Sequence, residues 1–239
     1  MANFQDIWVY LAASPLLHLT LTLVAFQAGN WIYRRCGLNP LLNPVLVSMI
    51  IIISILLATG TTYDTYFDGA QFVHFLLGPA TVALAIPLYR QFDYVRGSAI
   101  AILTSLLVGS VTAAASAVGI AWIMGADRVS VISVAPKSTT APVAMGIVEK
   151  LGGLPSLTAV LVILTGITGA MLGPMLLNLL GVRDWQARGF ALGTASHGIG
   201  TARALQVNEV AGAFSGLAMG LNAIATAILL PIAYKLFFS

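Results

Sequence analysis

The spacing of its charges constrains this chain more than any other feature of the sequence. Six stretches longer than 20 residues contain no Asp, Glu, Lys or Arg: Ile7–Tyr33, Cys36–Tyr63, Gly69–Tyr89, Gly97–Ala126, Leu151–Val182 and Val210–Tyr234. About 20 apolar residues carry an α-helix across a bilayer's hydrocarbon core, so each stretch is long enough for one crossing. Of the 239 residues, 59% are hydrophobic and 8% charged, where a soluble domain carries roughly 25% charge. The expectation is an all-α polytopic membrane protein with six full transmembrane helices. That excludes a single-anchor enzyme with a soluble catalytic domain. Eleven Lys and Arg against eight Asp and Glu give +3, too few and too scattered for a nucleic-acid partner. Asp6 precedes 27 residues without a formal charge, unlike the basic start of a cleavable leader, so the first stretch is expected to remain as a span. The one cysteine, Cys36, forms no internal disulfide and is read as structurally neutral.

Two further stretches of 20 residues, Val129–Val148 and Gly189–Asn208, each enclose a cation, Lys137 and Arg203. Both are rich in residues that interrupt helices: Pro136, Ser138, Thr139, Thr140 and Pro142 in one, Gly193, Thr194, Ser196, His197, Gly198, Gly200 and Thr201 in the other. Unwound backbone survives at membrane depth only where protein or a wet cavity covers it. These are therefore expected to be broken or re-entrant elements lining a site.

The two odd segments align at an offset of 60 residues, pairing Arg128 with Arg188, Ala135 with Ala195, Lys137 with His197, Ala144 with Ala204, Glu149 with Glu209 and Gly152 with Gly212. Apolar matches are cheap in such a chain, and the scarce charged pairs carry the weight. If neither odd segment crosses, six arginines (34, 35, 90, 96, 183, 188) share one side against Arg128, Lys150 and Lys235, the bias that the positive-inside rule favours. Successive units would then enter from opposite faces as an inverted repeat, as in secondary transporters. The single membrane domain, 1–239, divides on this reading into four N-terminal spans over 1–126, one repeat unit over 127–182 and a second over 187–239.

An unpaired cation at the bilayer centre costs about 2.5–3.5 kcal/mol on insertion scales, so Lys137 and Arg203 call for a partner, water or a ligand. Lys137 precedes three hydroxyls and Pro142, a pattern that suits a helix start, where free N–H groups and the positive dipole end attract anions. His197 is set among Ser196, Gly198, Gly200 and Thr201, with Arg203 on the turn that follows. Glycines there admit close backbone approach. The candidate substrate-binding set is thus Lys137, Ser138, Thr139, Thr140, Ser196, His197, Gly198, Gly200, Thr201 and Arg203, suited to a small carboxylate; the competing reading is a structural polar network with Glu149 or Glu209. Those two carboxylates are either interfacial groups or coupling sites for protons. His18 and His74 stand alone at no metal-ligand spacing and are read as satisfied core histidines. Asn39, Pro40, Asn43 and Pro44 read as a turn and helix start. No nucleophile–base pairing or catalytic motif occurs, so neither catalysis nor a cofactor is expected.

Three stretches carry a family resemblance: Ala135-Pro136-Lys137-Ser138-Thr139-Thr140-Ala141-Pro142-Val143-Ala144, Ala195-Ser196-His197-Gly198-Ile199-Gly200-Thr201-Ala202-Arg203-Ala204, and Phe75 through Tyr89, which contains Leu77-Gly78-Pro79. They resemble the signature stretches of the LrgB/CidB family, over almost the whole chain. That resemblance implies two functional pictures. One is a carrier of short hydroxy- or ketocarboxylates of the glycolate, glycerate or pyruvate class; the two matched polar breaks with embedded cations favour this one, working by alternating access and elevator-like. The other is an antiholin-like or holin-associated protein that influences murein hydrolase activity and lysis. It also implies a bacterial cytoplasmic (inner) membrane location. The expected assembly is a homodimer or a complex with a small LrgA/CidA-type membrane protein.

Overall fold

The computed structural model describes residues 15–37, 42–76, 79, 82–83, 85–90 and 92–238. Among these the regular elements are α-helices, with no strand. The chain falls into two compact units, Met1–Ala83 and Leu84–Ser239.

The first unit contains α1 (Pro15–Arg35), α2 (Pro44–Thr59) and α3 (Tyr63–Phe75). Asn43 Oδ1 accepts from Val45 N at 2.8 Å and Pro44 opens α2, where its missing N–H leaves nothing unsatisfied. The expected helix start is therefore present at Asn43 and Pro44; Asn39 and Pro40 lie outside the described residues. Helices α1 and α2 approach closely at Gly29, where a Cβ would stand 2.7 Å from the Pro44 carbonyl oxygen. Thr22 Oγ1 and Tyr66 Oη, 2.8 Å apart, join α1 to α3. His18 is buried with its ring edge-on to Tyr66 at 5.8 Å. It is a core histidine but not a satisfied one: neither ring nitrogen has a hydrogen-bond partner among the described residues. The side chain of His74 lies outside the described residues.

The second unit contains α4 (Ala85–Arg90), α5 (Phe92–Gly97), α6 (Ala99–Ile123), α7 (Arg128–Val134), α8 (Ala141–Leu151), α9 (Pro155–Leu179), α10 (Trp185–Val207) and α11 (Glu209–Phe238). Among the described residues three helices are long and apolar enough to cross a membrane: Ala99–Ile123, Pro155–Leu179 and Glu209–Leu236. They are the last three of the six expected crossings. Outward-facing Ile100, Val108, Ile120, Leu164 and Ile228 are exposed, as suits helices solvated by lipid rather than water. The first three expected crossings are not each seen as one spanning helix among the described residues. Helix α1 has 21 residues from Pro15, and Ile7 to Ser14 lie outside the described residues. Helix α2 has 16 residues. Gly69–Tyr89 is not one helix, because α3 already begins at Tyr63 and ends at Phe75, and α4 starts at Ala85; Leu77, Gly78, Ala80, Thr81 and Leu84 lie outside the described residues.

Both cation-bearing stretches double back. After α7 the chain continues through tight turns, with Lys137 N donating to Val134 O at 3.1 Å and Thr139 N to Pro136 O at 3.0 Å. It then returns as α8. Ser133 Oγ accepts from Leu154 N at 2.9 Å, and Thr158 Oγ1 donates to Ser133 O at 2.9 Å. An 11-residue helix such as α8 is about 16 Å long, so this contact exists only because the chain reverses between Ser133 and Leu154. In α10 one residue makes the bend, His197 at φ 42°, ψ −133°. Its inbound leg (185–196) and return leg (198–207) pack on each other. A Cβ on Gly200 would stand 2.7 Å from Leu192 O, and Leu192 shares a buried cluster with Ala204. A straight helix would hold Leu192 and Ala204 about 18 Å apart. Residues 128–151 thus form hairpin 1 and residues 185–207 form hairpin 2.

Each hairpin packs its inbound leg on the long helix that follows, with a matching register. Ser133 meets Leu154 and Thr158; 60 positions later Gly193 lies against the backbone of Ser215, and Gly189 against Ala211. Helix α9 also receives hairpin 2, with Leu192 at Gly173, Ser196 at Gly169 and His197 at Gly166. Residue numbers rise along α9 as they fall along hairpin 2. Hairpin 1 enters at the start of α9, so the hairpins advance from opposite ends and their tips meet near its middle. At the mouth of hairpin 1, Arg128 Nη2 donates to Tyr234 Oη at 2.8 Å, near the end of α11. A buried cluster of Ile102, Leu106, Phe190, Phe214 and Ala218 fixes α6 against hairpin 2 and α11.

Candidate functional site

A break in a helix strands backbone groups that must find other partners. The partners chosen here define the site. Asn222, in the middle of α11 and buried, donates from Nδ2 to Ser138 O of hairpin 1 at 3.0 Å and to Thr194 O of hairpin 2 at 3.1 Å. Its Oδ1 accepts from Ser110 Oγ of α6 at 2.5 Å. On α9, Val162 O lies 2.9 Å from His197 Nε2. A carbonyl only accepts, so Nε2 carries the proton in this bond. Val162 and Asn222 are themselves 60 residues apart, the offset that relates Lys137 to His197.

Hairpin 2 is seated by small residues. A Cβ on Gly166 would stand 2.6 Å from His197 Cε1, and one on Gly169 would overlap Ser196 Oγ. Thr201 Oγ1 donates to His197 O at 2.8 Å and meets Ser215 Oγ at 3.0 Å. Gly200 packs against Ser196, and Gly198 is exposed. Arg203 is half-buried on the return leg. In hairpin 1, Lys137 is half-buried and its Nζ reaches Ser138 Oγ at 3.3 Å. Thr140 precedes α8, with Pro142 in the first turn as the sequence implies, although its side chain makes no capping bond.

Three hydroxyls at these tips are buried with no hydrogen-bond partner among the described residues: Thr139 Oγ1, Thr194 Oγ1 and Ser196 Oγ. Leaving one such group unsatisfied costs about 1–3 kcal/mol. Groups of this kind are completed by water or by a polar solute. A groove of about 500 Å³ runs between α6 and the inbound leg of hairpin 2, from Asp184 and Gln186 past Ser105 and Gly109 to Thr194 and Ala195.

Lys137, Ser138, Thr139, Ser196, His197 and Thr201 are therefore gathered at or beside the tips. Glu149 and Glu209 are not; both are exposed at the mouths of their hairpins, and Glu209 Oε1 pairs with Arg90 Nη1 at 3.0 Å. Among the described residues no group of His, Cys, Asp or Glu could hold a metal ion. Sequence reasoning missed Asn222, Ser110, the role of Thr194 and the seats at Gly166 and Gly169. Asn222 had a visible signal: it is a single amide inside a charge-free span, a default functional position in a membrane helix.

The model of the LrgB-like family matches residues 22–236. The chain belongs to this family. It is 38% identical over 226 residues to "Uncharacterized protein YxaC" of Bacillus subtilis, covering 95% of this chain and 98% of the relative. It is 35% identical over 222 residues to "Holin-like protein CidB" of Staphylococcus epidermidis, covering 93% and 96%. To the protein of the same description in Staphylococcus aureus it is 32% identical over 223 residues, covering 93% and 97%. No solved structure matches. With its long apolar helices, this LrgB-family chain is a membrane protein.

Proposed function

We propose that this LrgB-family protein is a secondary carrier of small monocarboxylates, of the glycolate, glycerate or pyruvate class, and that the carboxylate binds where the two hairpin tips meet. The observation that carries the reading is the convergence of two broken helices on one amide, Asn222, with Lys137, His197 and three buried, unpartnered hydroxyls at or beside their tips. Lys137 and Arg203 supply positive charge for the carboxylate, and His197 lines the same tip beside it. Ser138, Thr139, Thr140, Ser196 and Thr201 read its hydroxyl or keto oxygen, and Gly198 and Gly200 leave room for it. Hairpins approaching from opposite ends of α9 support an inverted repeat of units 127–182 and 187–239, re-entrant in the bacterial cytoplasmic membrane. Such a repeat permits alternating access by movement of one body past another, as in an elevator. A homodimer, or a complex with a small LrgA/CidA-type membrane protein, is the proposed assembly.

The name of the staphylococcal relatives, "Holin-like protein CidB", favours a second reading, a membrane protein that regulates murein hydrolase activity and lysis with such a partner. Uptake of radiolabelled glycolate and pyruvate into proteoliposomes separates the two. The carrier reading expects saturable uptake that Lys137→Ala abolishes while the variant stays folded in the membrane. Saturable uptake unaltered by Lys137→Ala would sink the site assignment. An absence of uptake, alone and with the partner, would favour lysis control.

A further inference from the structure

We infer that Asn222 is the positioning residue of this site: one buried amide sets the spacing of the two tips. The inference rests on the reading of the tips as the substrate site. Its geometry is specific to an amide. The two N–H groups of Nδ2 go to two carbonyls on different hairpins, Ser138 O at 3.0 Å and Thr194 O at 3.1 Å. The carbonyl Oδ1 is turned by Ser110 Oγ of α6, which fixes which end of the amide faces the tips. No apolar residue reproduces this, and a hydroxyl has one proton where two are used. Both acceptors exist only because the helices break beside them.

The bonds also tie the hydroxyls that face the site. Ser138 adjoins Lys137 and Thr139, and Thr194 carries one of the unpartnered hydroxyls two residues before Ser196. Asn222 therefore acts through its neighbours. Its two bonds hold the Lys137 side of the site at a fixed separation from the Thr194 and Ser196 side, and so select solutes by size. The tips respond unequally when the amide is lost. Hairpin 2 keeps its bond from His197 to Val162 and its seat at Gly169. Among the described residues, hairpin 1 loses the one hydrogen bond that joins its tip, 135–140, to an element outside the hairpin.

The chain has one cysteine, Cys36, so a Cys36→Ser background allows single reporters at Ala141→Cys beside tip 1 and Ala195→Cys beside tip 2. In proteoliposomes, Asn222→Leu should raise the maleimide labelling rate at position 141 about tenfold, the scale set by losing two buried hydrogen bonds, and at position 195 by much less. Ser110→Ala, which leaves both donors in place, should move position 141 in the same direction by a smaller factor; it reads the same contact should Asn222→Leu fail to fold. Glycolate uptake by Asn222→Leu should show a raised KM with Vmax little changed. Unaltered labelling at position 141 in the folded variants overturns the inference, and so does altered labelling with an unaltered KM. If wild-type protein shows no saturable uptake, the carrier reading fails, whereas labelling still decides whether the amide holds the tips.

Discussion

The two hairpin tips meet the same requirement with opposite groups. On hairpin 2 the tip supplies a side-chain donor, His197 Nε2, and the helix it meets supplies a backbone acceptor, Val162 O. On hairpin 1 the tip supplies the backbone acceptor, Ser138 O, and the helix supplies the side-chain donor, Asn222 Nδ2. The offset of 60 preserves where the chain breaks and which helix each tip meets. It does not preserve which partner carries the proton. The seating differs as well: hairpin 2 turns on one residue and presses into Gly166 and Gly169, whereas hairpin 1 spreads its break over residues 135–140 and leaves Lys137 half-buried. Hairpin 2 is thus seated on the backbone of α9 at two glycines, and hairpin 1 is held at its tip by the Asn222 amide.

The sharpest way to break this comparison is to exchange equivalent residues. Ser133 and Gly193 occupy matching positions on the inbound legs, but Ser133 uses its hydroxyl to receive Leu154 N while Gly193 lies directly on the Ser215 backbone. Gly193→Ser should therefore cause the largest loss, because backbone on both sides cannot give way. The expected cost is about 3 kcal/mol, the upper end for overpacking, which lowers Tm by roughly 10 °C in a chain of this size. Thermal unfolding followed by tryptophan fluorescence in detergent measures it. A Tm within a degree or two of wild type would mean that hairpin 2 does not pack this closely on α11.

A smaller effect tests the bend itself. His197→Ala and His197→Gly both lose the bond to Val162, so the histidine's chemistry cancels between them. The backbone at φ 42°, ψ −133° is one that glycine adopts freely and that strains other residues by about 1–3 kcal/mol. The glycine variant should be the more stable, at the low end of that range, with a Tm about 3 °C above that of the alanine variant. Equal melting temperatures would place the bend elsewhere.

What was legible in the sequence follows from this contrast. Breaks were legible because charge is scarce: Lys137 and Arg203 inside otherwise apolar stretches mark the two odd segments, and the break falls beside Lys137 in one and at His197, six residues before Arg203, in the other. Reversal at the breaks was legible more faintly, through the distribution of basic residues. The hydrogen bonds from Asn222 to both hairpins were not, because Asn222 sits opposite Val162 in the alignment and only matching positions reveal a repeat. The third crossing was over-read for a different reason. An uncharged gap measures how long a chain avoids charge and says nothing of whether it stays helical; Gly69–Tyr89 is such a gap, yet α3 starts before it, at Tyr63, and ends within it, at Phe75. His18 shows the same limit in miniature: periodicity announces burial, whereas hydrogen-bond satisfaction depends on what other helices bring.

The smallest expected effect concerns the carboxylates at the mouths. Glu149 and Glu209 are equivalent by offset, and Glu209 is half of an exposed ion pair with Arg90 at 3.0 Å. Exposed pairs contribute about 0–1 kcal/mol, so Glu209→Gln should leave Tm within a degree or two of wild type. It should also leave the proton dependence of glycolate uptake unchanged, since the group stands at a hairpin mouth rather than at a tip. Uptake with and without an imposed proton gradient reads this directly. If the variant keeps its Tm and loses the response to the gradient, the proton pathway runs through the mouth of hairpin 2. Hairpin 2 would then carry the coupling as well as its share of the site, a division of labour between the two hairpins sharper than the one their tips display.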